Sequence, residues 1–261
     1  MAGRSATAPA APSWSRSGHD PHGCAGLLPG GLPARRRVIV YGRNAVREAI
    51  RGPRAVRTVW ATKGAAGEFA GALPAGAEEI ARRAGSEGHQ GVCADVEDYG
   101  YADAATLLGA SNPVLVALDE VTDPQNLGAI CRSAECAGAT GVVLPERRSA
   151  AVTAAVCKAS AGAVEHLAIA QVRNLADFLA DAKAAGCWSY GAAAGAATPY
   201  RSVDWRGGVV LVLGAEGRGL RPRVAAACDD MVGLPLRGRV GSLNVSATAA
   251  VLLYEILHQR T

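Results

Sequence analysis

The chain has 261 residues, 49% of them hydrophobic, and a net charge of +4. That apolar content supports a packed core and excludes a disordered protein, while the charge alone is too small to assign a nucleic-acid partner. Aromatics make up only 5%, so Ala, Val and Leu must fill the core, and no apolar run is long enough to span a membrane.

Residues 1–34 are dominated by Ala, Pro, Gly and Ser without helical or strand period, which predicts a disordered tail. His19, His22 and Cys24 come together there, but a Pro/Gly-rich tail is a poor frame for a metal site. The same prolines and glycines oppose the amphipathic helix of a transit peptide. Arginine then clusters: Arg35, Arg36, Arg37, Arg43, Arg47, Arg51, Arg54 and Arg57 stand against Glu48 alone. Lysine occurs only at Lys63, Lys158 and Lys183. A GC-rich genome would raise arginine everywhere, but it would not cluster it.

Val38–Val40 predicts a strand, and Asn44 reads as the N-cap of a helix Ala45–Arg51. Val46, Ala49 and Ile50 share one face of that helix. Arg43, Arg47 and Arg51, spaced by four, share another and become candidates for RNA binding. Strands are expected at Val56–Ala61 and Gly91–Val96, with a helical segment between. The result is a small α/β module over residues 35–108, followed by a linker at 109–113.

Beyond the linker, strands and helices alternate. Strands are expected at Val114–Leu118, Gly141–Leu144, Leu167–Ala170, Trp188–Gly191, Val209–Leu213 and Met231–Leu234. Helices are expected at Asn126–Cys136, Ala150–Ser160, Leu175–Ala185 and Leu243–Gln259. This predicts an α/β domain over 114–261, with a parallel sheet covered on both faces and ligands at the carboxyl ends of its strands. The seven cysteines, Cys24, Cys93, Cys131, Cys136, Cys157, Cys187 and Cys228, form no CxxC and mostly lie in apolar runs. They read as buried thiols of a reducing compartment, so a cytoplasmic protein is expected.

Three motifs interrupt the second half. The first runs from Leu118-Asp119 through Asp123-Pro124-Gln125-Asn126 to Arg132, a strand turning through an acidic loop into a helix. Gly128 there permits close approach of another backbone or a ligand. Asn126 and Arg132 are six apart, so a shared pocket requires the helix to start late or bend. The second is Gly214-Ala215-Glu216-Gly217-Arg218-Gly219, a glycine-rich loop directly after a strand. A dinucleotide fold would need an acidic residue about twenty positions on, where Leu234 stands instead. The third is Leu234-Pro235-Leu236-Arg237-Gly238-Arg239-Val240-Gly241-Ser242-Leu243-Asn244, opening the last helix. Capping explains Ser242 or Asn244, but not why Arg237 and Arg239 flank the loop.

With Tyr41-Gly42-Arg43-Asn44-Ala45-Val46 and Gly88-His89-Gln90-Gly91-Val92 upstream, these blocks closely resemble the SpoU (TrmH-like) family of tRNA/rRNA ribose methyltransferases. The nearest likeness is to the RlmB-type 23S rRNA guanosine 2'-O-methyltransferases, over nearly all of the chain from Arg35 to Arg260. The resemblance implies a trefoil-knotted α/β domain, a homodimer, and S-adenosylmethionine bent within the knot. It implies cofactor contacts by Gly214, Leu234, Leu243 and Ala193, largely through their backbones. It maps conserved family side chains onto Asn126, Arg132, Glu216, Ser242 and Asn244, and likens the upstream module to a ribosomal-protein-like RNA-binding domain.

Methyl transfer from a sulfonium needs no metal, only a positioned nucleophile. A ribose 2'-hydroxyl is a poor acid, so its proton must be accepted during attack, and no histidine is suitably placed. Arg132 is the candidate, either as direct acceptor or by aligning a substrate phosphate with the hydroxyl. Asn126 would orient the ribose or Arg132, Glu216 would hold the loop, and Ser242 with Asn244 would shape the site. Two features depart from the family pattern. Residues 63–89 form a shorter stretch than usual, and Gly241 stands where a serine is frequent. Three other readings compete: a tRNA ribose methylase, a resistance-type rRNA methylase, and a non-catalytic RNA-binding protein.

Overall fold

The structure is a computed structural model and describes residues 37–261. The expected tail, its His19–Cys24 group, and Arg35 and Arg36 lie outside the described residues. Strand β1 (Arg37–Tyr41), helix α1 (Arg43–Arg51), β2 (Val56–Ala61), β3 (Leu73–Pro74), α2 (Ala77–Ala84) and β4 (Val92–Glu97) build a first sheet of order β1-β4-β2-β3. In it β4 runs antiparallel to both β1 and β2.

Helix α1 begins at Arg43, so Asn44 is inside it and is not its N-cap. Gly42 takes the cap position at φ 93°, a backbone state that a side chain resists. A Cβ there would lie 2.6 Å from Lys158 Nζ, so the site also lacks room for one. Asn44 Oδ1 instead accepts from Arg47 Nη1 at 2.9 Å.

The remaining elements are α3 (Ala104–Leu108), β5 (Val114–Asp119), α4 (Pro124–Cys136), β6 (Gly141–Pro145), α5 (Ala154–Ala159), β7 (Ile169–Val172) and α6 (Leu175–Ala184). After them come β8 (Trp188–Ala192), β9 (Thr198–Pro199), β10 (Val209–Gly214), α7 (Pro222–Ala227), β11 (Asp230–Gly233) and α8 (Val245–Arg260). The seven strands form one sheet of order β7-β6-β5-β10-β8-β11-β9, parallel throughout. Its central strands β5 and β6 are buried along their whole length, as expected when both faces are covered. Helix α4 starts at Pro124, ahead of the expected Asn126, because Asp123 caps it. Helix α8 starts at Val245, after the expected Leu243, because Asn244 is its cap.

The two sheets share a core. Val40, Val46 and Ala49 of the first belong to the same apolar cluster as Leu127, Val156 and Cys157 of the second. Across this boundary Arg54 Nε donates to Glu165 Oε2 at 2.8 Å, while Arg54 Nη1 is held on its own side by the Glu97 carbonyl at 3.0 Å. The Arg54 and Glu165 side chains are 7% and 0% exposed. The chain passes to the large sheet earlier than the expected linker at 109–113. Tyr99 Oη donates to the Leu167 carbonyl at 2.7 Å, Ala102 N to the Ile169 carbonyl at 2.8 Å, and Leu107 is buried in the core on the far face. Leu107 lodges against Gly141, whose missing side chain leaves the space.

Two features set the site's geometry. At Gly128 a Cβ would stand 2.4 Å from the Ala159 Cβ and 2.8 Å from Ser160 N, so glycine lets α4 press directly on α5. At the chain's end, Arg260 Nε donates to the Trp205 carbonyl at 2.9 Å and Nη1 to the Asn112 carbonyl at 2.8 Å. Asn112 precedes β5, so the carboxyl end of α8 is pinned at the amino ends of the strands. A helix of its length spans about 24 Å at ~1.5 Å per residue. Its amino end therefore stands near the strands' carboxyl ends. No helix among the described residues is long and apolar enough to cross a membrane.

Candidate active site

The carboxyl ends of β10, β8 and β11 open into a cavity of about 650 Å³. Ala193, Gly214, Leu234 and Leu243, the four residues expected at the cofactor, all line it. Glu216, Ser242 and Asn244 line it too; Asn126 and Arg132 do not.

The floor of the cavity is the Gly214–Gly219 loop. It curls back so tightly that a Cβ on Gly214 would fall 2.1 Å from the Gly219 carbonyl carbon. Gly219 N closes the curl onto the Ala215 carbonyl at 2.9 Å, and Gly217 and Gly219 adopt φ 76° and 67°. The base of the loop is held by Asp119, fully buried at the end of β5. Its carboxylate accepts from Arg221 N at 2.8 Å and from Arg221 Nε at 2.8 Å. The Asp119 hydrogen bond, above all, raises the pKa of the Arg221 guanidinium. Sequence reasoning missed this clamp. The readable signal was an acid closing an otherwise apolar strand, which a protein buries only with a partner.

The roof is the loop from Leu234 to Asn244. Asn244 caps α8: its Oδ1 accepts from Ser246 N at 2.8 Å and Ser246 Oγ at 2.6 Å. This points its Nδ2 outward, where it donates to Asn126 Oδ1 at 3.0 Å and to Glu216 Oε1. One amide thus joins all three motifs. Asn126 is in the first turn of α4, 7% exposed, its backbone N held by Asp123 Oδ2 at 3.3 Å.

Arg132 is not part of this cluster. Helix α4 starts early, at Pro124, and not late as a shared pocket would require, and Arg132 stands exposed, six positions on from Asn126. Ser242 is exposed on the rim. Arg43, Arg47 and Arg51 lie on α1, and each is in an ion pair. Four of the cysteines, Cys93, Cys131, Cys157 and Cys187, are buried free thiols, while Cys136 is exposed and Cys24 lies outside the described residues. Burial pushes the Cys131 thiol up to about 12.

Ala192, Ala193, Val232 and Leu252 supply the cavity with apolar wall. Among the described residues, the backbone N–H groups of Leu234 and Leu243 donate to no turn or loop carbonyl, which leaves them available.

Comparison with known proteins identifies the family. Residues 113–254 match the SpoU rRNA Methylase family, and residues 39–102 match the RNA 2'-O ribose methyltransferase substrate binding domain. The chain belongs to the SpoU family of RNA methyltransferases. A Bacillus subtilis protein placed in the TrmH family of tRNA/rRNA methyltransferases, YacO, is 38% identical over 85% of this chain and 95% of its own length. A tRNA/rRNA methyltransferase of Synechocystis, described as uncharacterized, is also 38% identical, but the match spans only 62% of that longer protein. Among solved structures, an AdoMet-bound rRNA methyltransferase from Sinorhizobium meliloti superimposes with a TM-score of 0.74 at 26% identity, covering 87% of this chain and 88% of that one.

Proposed function

We propose that this protein transfers a methyl group from S-adenosylmethionine to a ribose 2'-hydroxyl of RNA, with a guanosine of large-subunit rRNA as its target. The observation that carries this reading is the junction of Asn126, Glu216 and Asn244 at the mouth of a cavity lined by Ala193, Gly214, Leu234 and Leu243. Ribose chemistry is supported by the family match of the upstream module, and the cofactor by the AdoMet in the Sinorhizobium relative. The bound cofactor supplies an electrophilic methyl group on a sulfonium.

The chain's own residues do the rest. Leu234 and Leu243 offer backbone donors to the cofactor, and the curled loop at Gly214 brings backbone within its reach. Among the described residues no acceptor takes the Asn126 Nδ2 protons, so that amide is available to orient the ribose. Asn244, itself tied to Glu216, holds Asn126 in place, and Ser242 closes the rim. Arg132 is exposed and outside the cavity lining, so it meets the RNA instead of the cofactor. A guanidinium rarely gives up its proton, which favours Arg132 aligning a phosphate so that the phosphate receives the hydroxyl proton.

The assembly is a homodimer in this reading. Val251 and Tyr254 leave apolar surface on α8 that is 41% and 52% exposed, a face suited to a second copy. Mass measurement by light scattering tests it.

The experiment for the function is transfer of tritiated methyl to unmodified rRNA and tRNA, with the product mapped by ribose-methylation profiling of a deletion strain. Methylation of tRNA alone would overturn the rRNA target. If Arg132→Ala turns over at the wild-type rate with RNA and cofactor still bound, its assigned role is wrong.

A further inference from the structure

We infer that, beside the phosphate assigned to Arg132, the RNA phosphates flanking the target ribose are taken by Arg218, Arg237 and Arg239, on the loops bordering the cavity, and not by the arginines of α1. This rests on the proposed function and specifies how that site holds its substrate.

The arginines of α1 and those of the loops at the cavity differ in whether a carboxylate already holds them. Those of α1 are already matched. Arg43 Nη1 is 2.8 Å from Glu68 Oε1, Arg47 Nη2 is 2.8 Å from Glu68 Oε2, and Arg51 Nη1 is 3.0 Å from Glu48 Oε1. A phosphate arriving there competes with a carboxylate for the same donors. Arg54, Arg83, Arg148, Arg206, Arg221 and Arg223 likewise have acidic partners. The rim differs. Arg218, Arg237 and Arg239 are exposed, and among the described residues none has a hydrogen bond or an ion pair, a state shared by Arg57, Arg82, Arg132, Arg147, Arg173 and Arg201, none of which lines the cavity.

Their position matters as much as their freedom. Arg218 lines the cavity itself, and Arg237 and Arg239 lie between Leu236 and Gly241, both of which line it. No acidic residue occurs between Asp230 and Glu255, so the whole roof loop and most of α8 carry no negative charge. Glu216 is the one acid lining the cavity among the described residues, and its Oε1 takes the Asn244 amide. A guanidinium presents a planar fork of donors that matches phosphate oxygens, and an unpaired one brings its full charge to the phosphate. Two loops converging on the ribose pocket would thus grip the backbone on either side of the nucleotide presented to it. This also accounts for the arginines flanking the third motif, which helix capping left unexplained.

The test compares the triple variant Arg218→Ala/Arg237→Ala/Arg239→Ala with the double variant Arg43→Ala/Arg47→Ala. Binding of transcribed, unmethylated large-subunit rRNA is measured over a series of KCl concentrations. Each phosphate that the protein no longer neutralises lowers the slope of log K against log[salt] by about 0.7 to 0.9. The triple variant is expected to reduce the slope by about 2 to 3, and the double variant by less, with S-adenosylmethionine affinity by calorimetry unchanged in an Arg237→Ala/Arg239→Ala variant, which leaves the cavity lining intact. Single Arg237→Gln and Arg239→Gln variants should each reduce it by one phosphate's share, which keeps the result readable if the triple variant folds poorly. A triple variant that keeps its slope overturns the inference, as does a larger reduction in the α1 variant, or weaker cofactor binding without a change of slope in the Arg237→Ala/Arg239→Ala variant. Failure of the parent reading looks different: the wild-type protein then makes no ribose-methylated product on rRNA or tRNA, whatever its salt slope.

Discussion

Asn244 Nδ2 lies 3.0 Å from Asn126 Oδ1, a bond joining the amino end of α8 to the first turn of α4 across 118 positions of chain. The amide has no freedom to flip. Its oxygen is committed to the Ser246 backbone at 2.8 Å, so its nitrogen must face Asn126 and Glu216. A capping residue has become the tie between three motifs.

Asn244→Asp separates these two roles. A carboxylate caps a helix as well as an amide does, so the melting temperature should fall little. It cannot donate to Asn126, and it places a negative charge against Glu216. Methyl transfer should fall about 10²-fold, the scale of a misplaced catalytic group. Activity near the wild-type level, measured with tritiated cofactor at saturation, would remove Asn244 from the site.

The clamp at Asp119 makes a second prediction. Asp119→Asn weakens the charge-assisted bonds to Arg221 that anchor the Gly214–Gly219 loop. The loop should loosen and cofactor affinity fall about tenfold, equivalent to ~1.4 kcal/mol. Calorimetric titration with S-adenosylmethionine measures this, and RNA binding serves as the internal comparison.

Arg54 and Glu165 form a buried pair between the two sheets, with exposures of 7% and 0%. Removing one partner strands the other charge, so Glu165→Leu should cost about 3–5 kcal/mol of stability. The double variant Arg54→Met/Glu165→Leu should recover much of that loss. Denaturant unfolding of all four combinations gives the coupling energy, and simple additivity would show that the pair does not act as a unit.

The Glu48–His166 contact, Nε2 to Oε2 at 2.9 Å, predicts an acid limb to stability. The hydrogen bond from His166 is the main cause that holds the Glu48 carboxyl below its ordinary value. A depressed folded-state pKa means that the unfolded chain binds more protons as acid is added. The contribution is therefore complete above the ordinary glutamate value, about 4.3, and lost as pH falls through the lower folded value. Between about pH 5 and pH 3 the wild-type melting temperature should drop more steeply than that of Glu48→Gln.

Local pattern carried much of this architecture. The apolar runs at Val114–Leu118 and Val209–Leu213 announce buried parallel strands, and the glycine-rich and Pro-bearing loops after strands mark where ligands gather, because burial and turn chemistry act on neighbours in the chain. Helix starts were less legible. Asp123 and Asn244 decide them through side-chain bonds two or three residues on, and α1 starts at Arg43 with Gly42, not Asn44, at its cap.

What the chain order could not reveal is which distant groups meet. Nothing local places β10 between β5 and β8, sets Asp119 against Arg221, or leaves Arg132 outside the cavity lining. Nor does an arginine's spacing tell whether a carboxylate has already claimed it, as Glu68 has claimed Arg43 and Arg47. These are long-range pairings, selected by what the packed sheet brings within hydrogen-bonding distance. A residue's type and period describe what it can do; only the folded chain supplies the partner with which it does it.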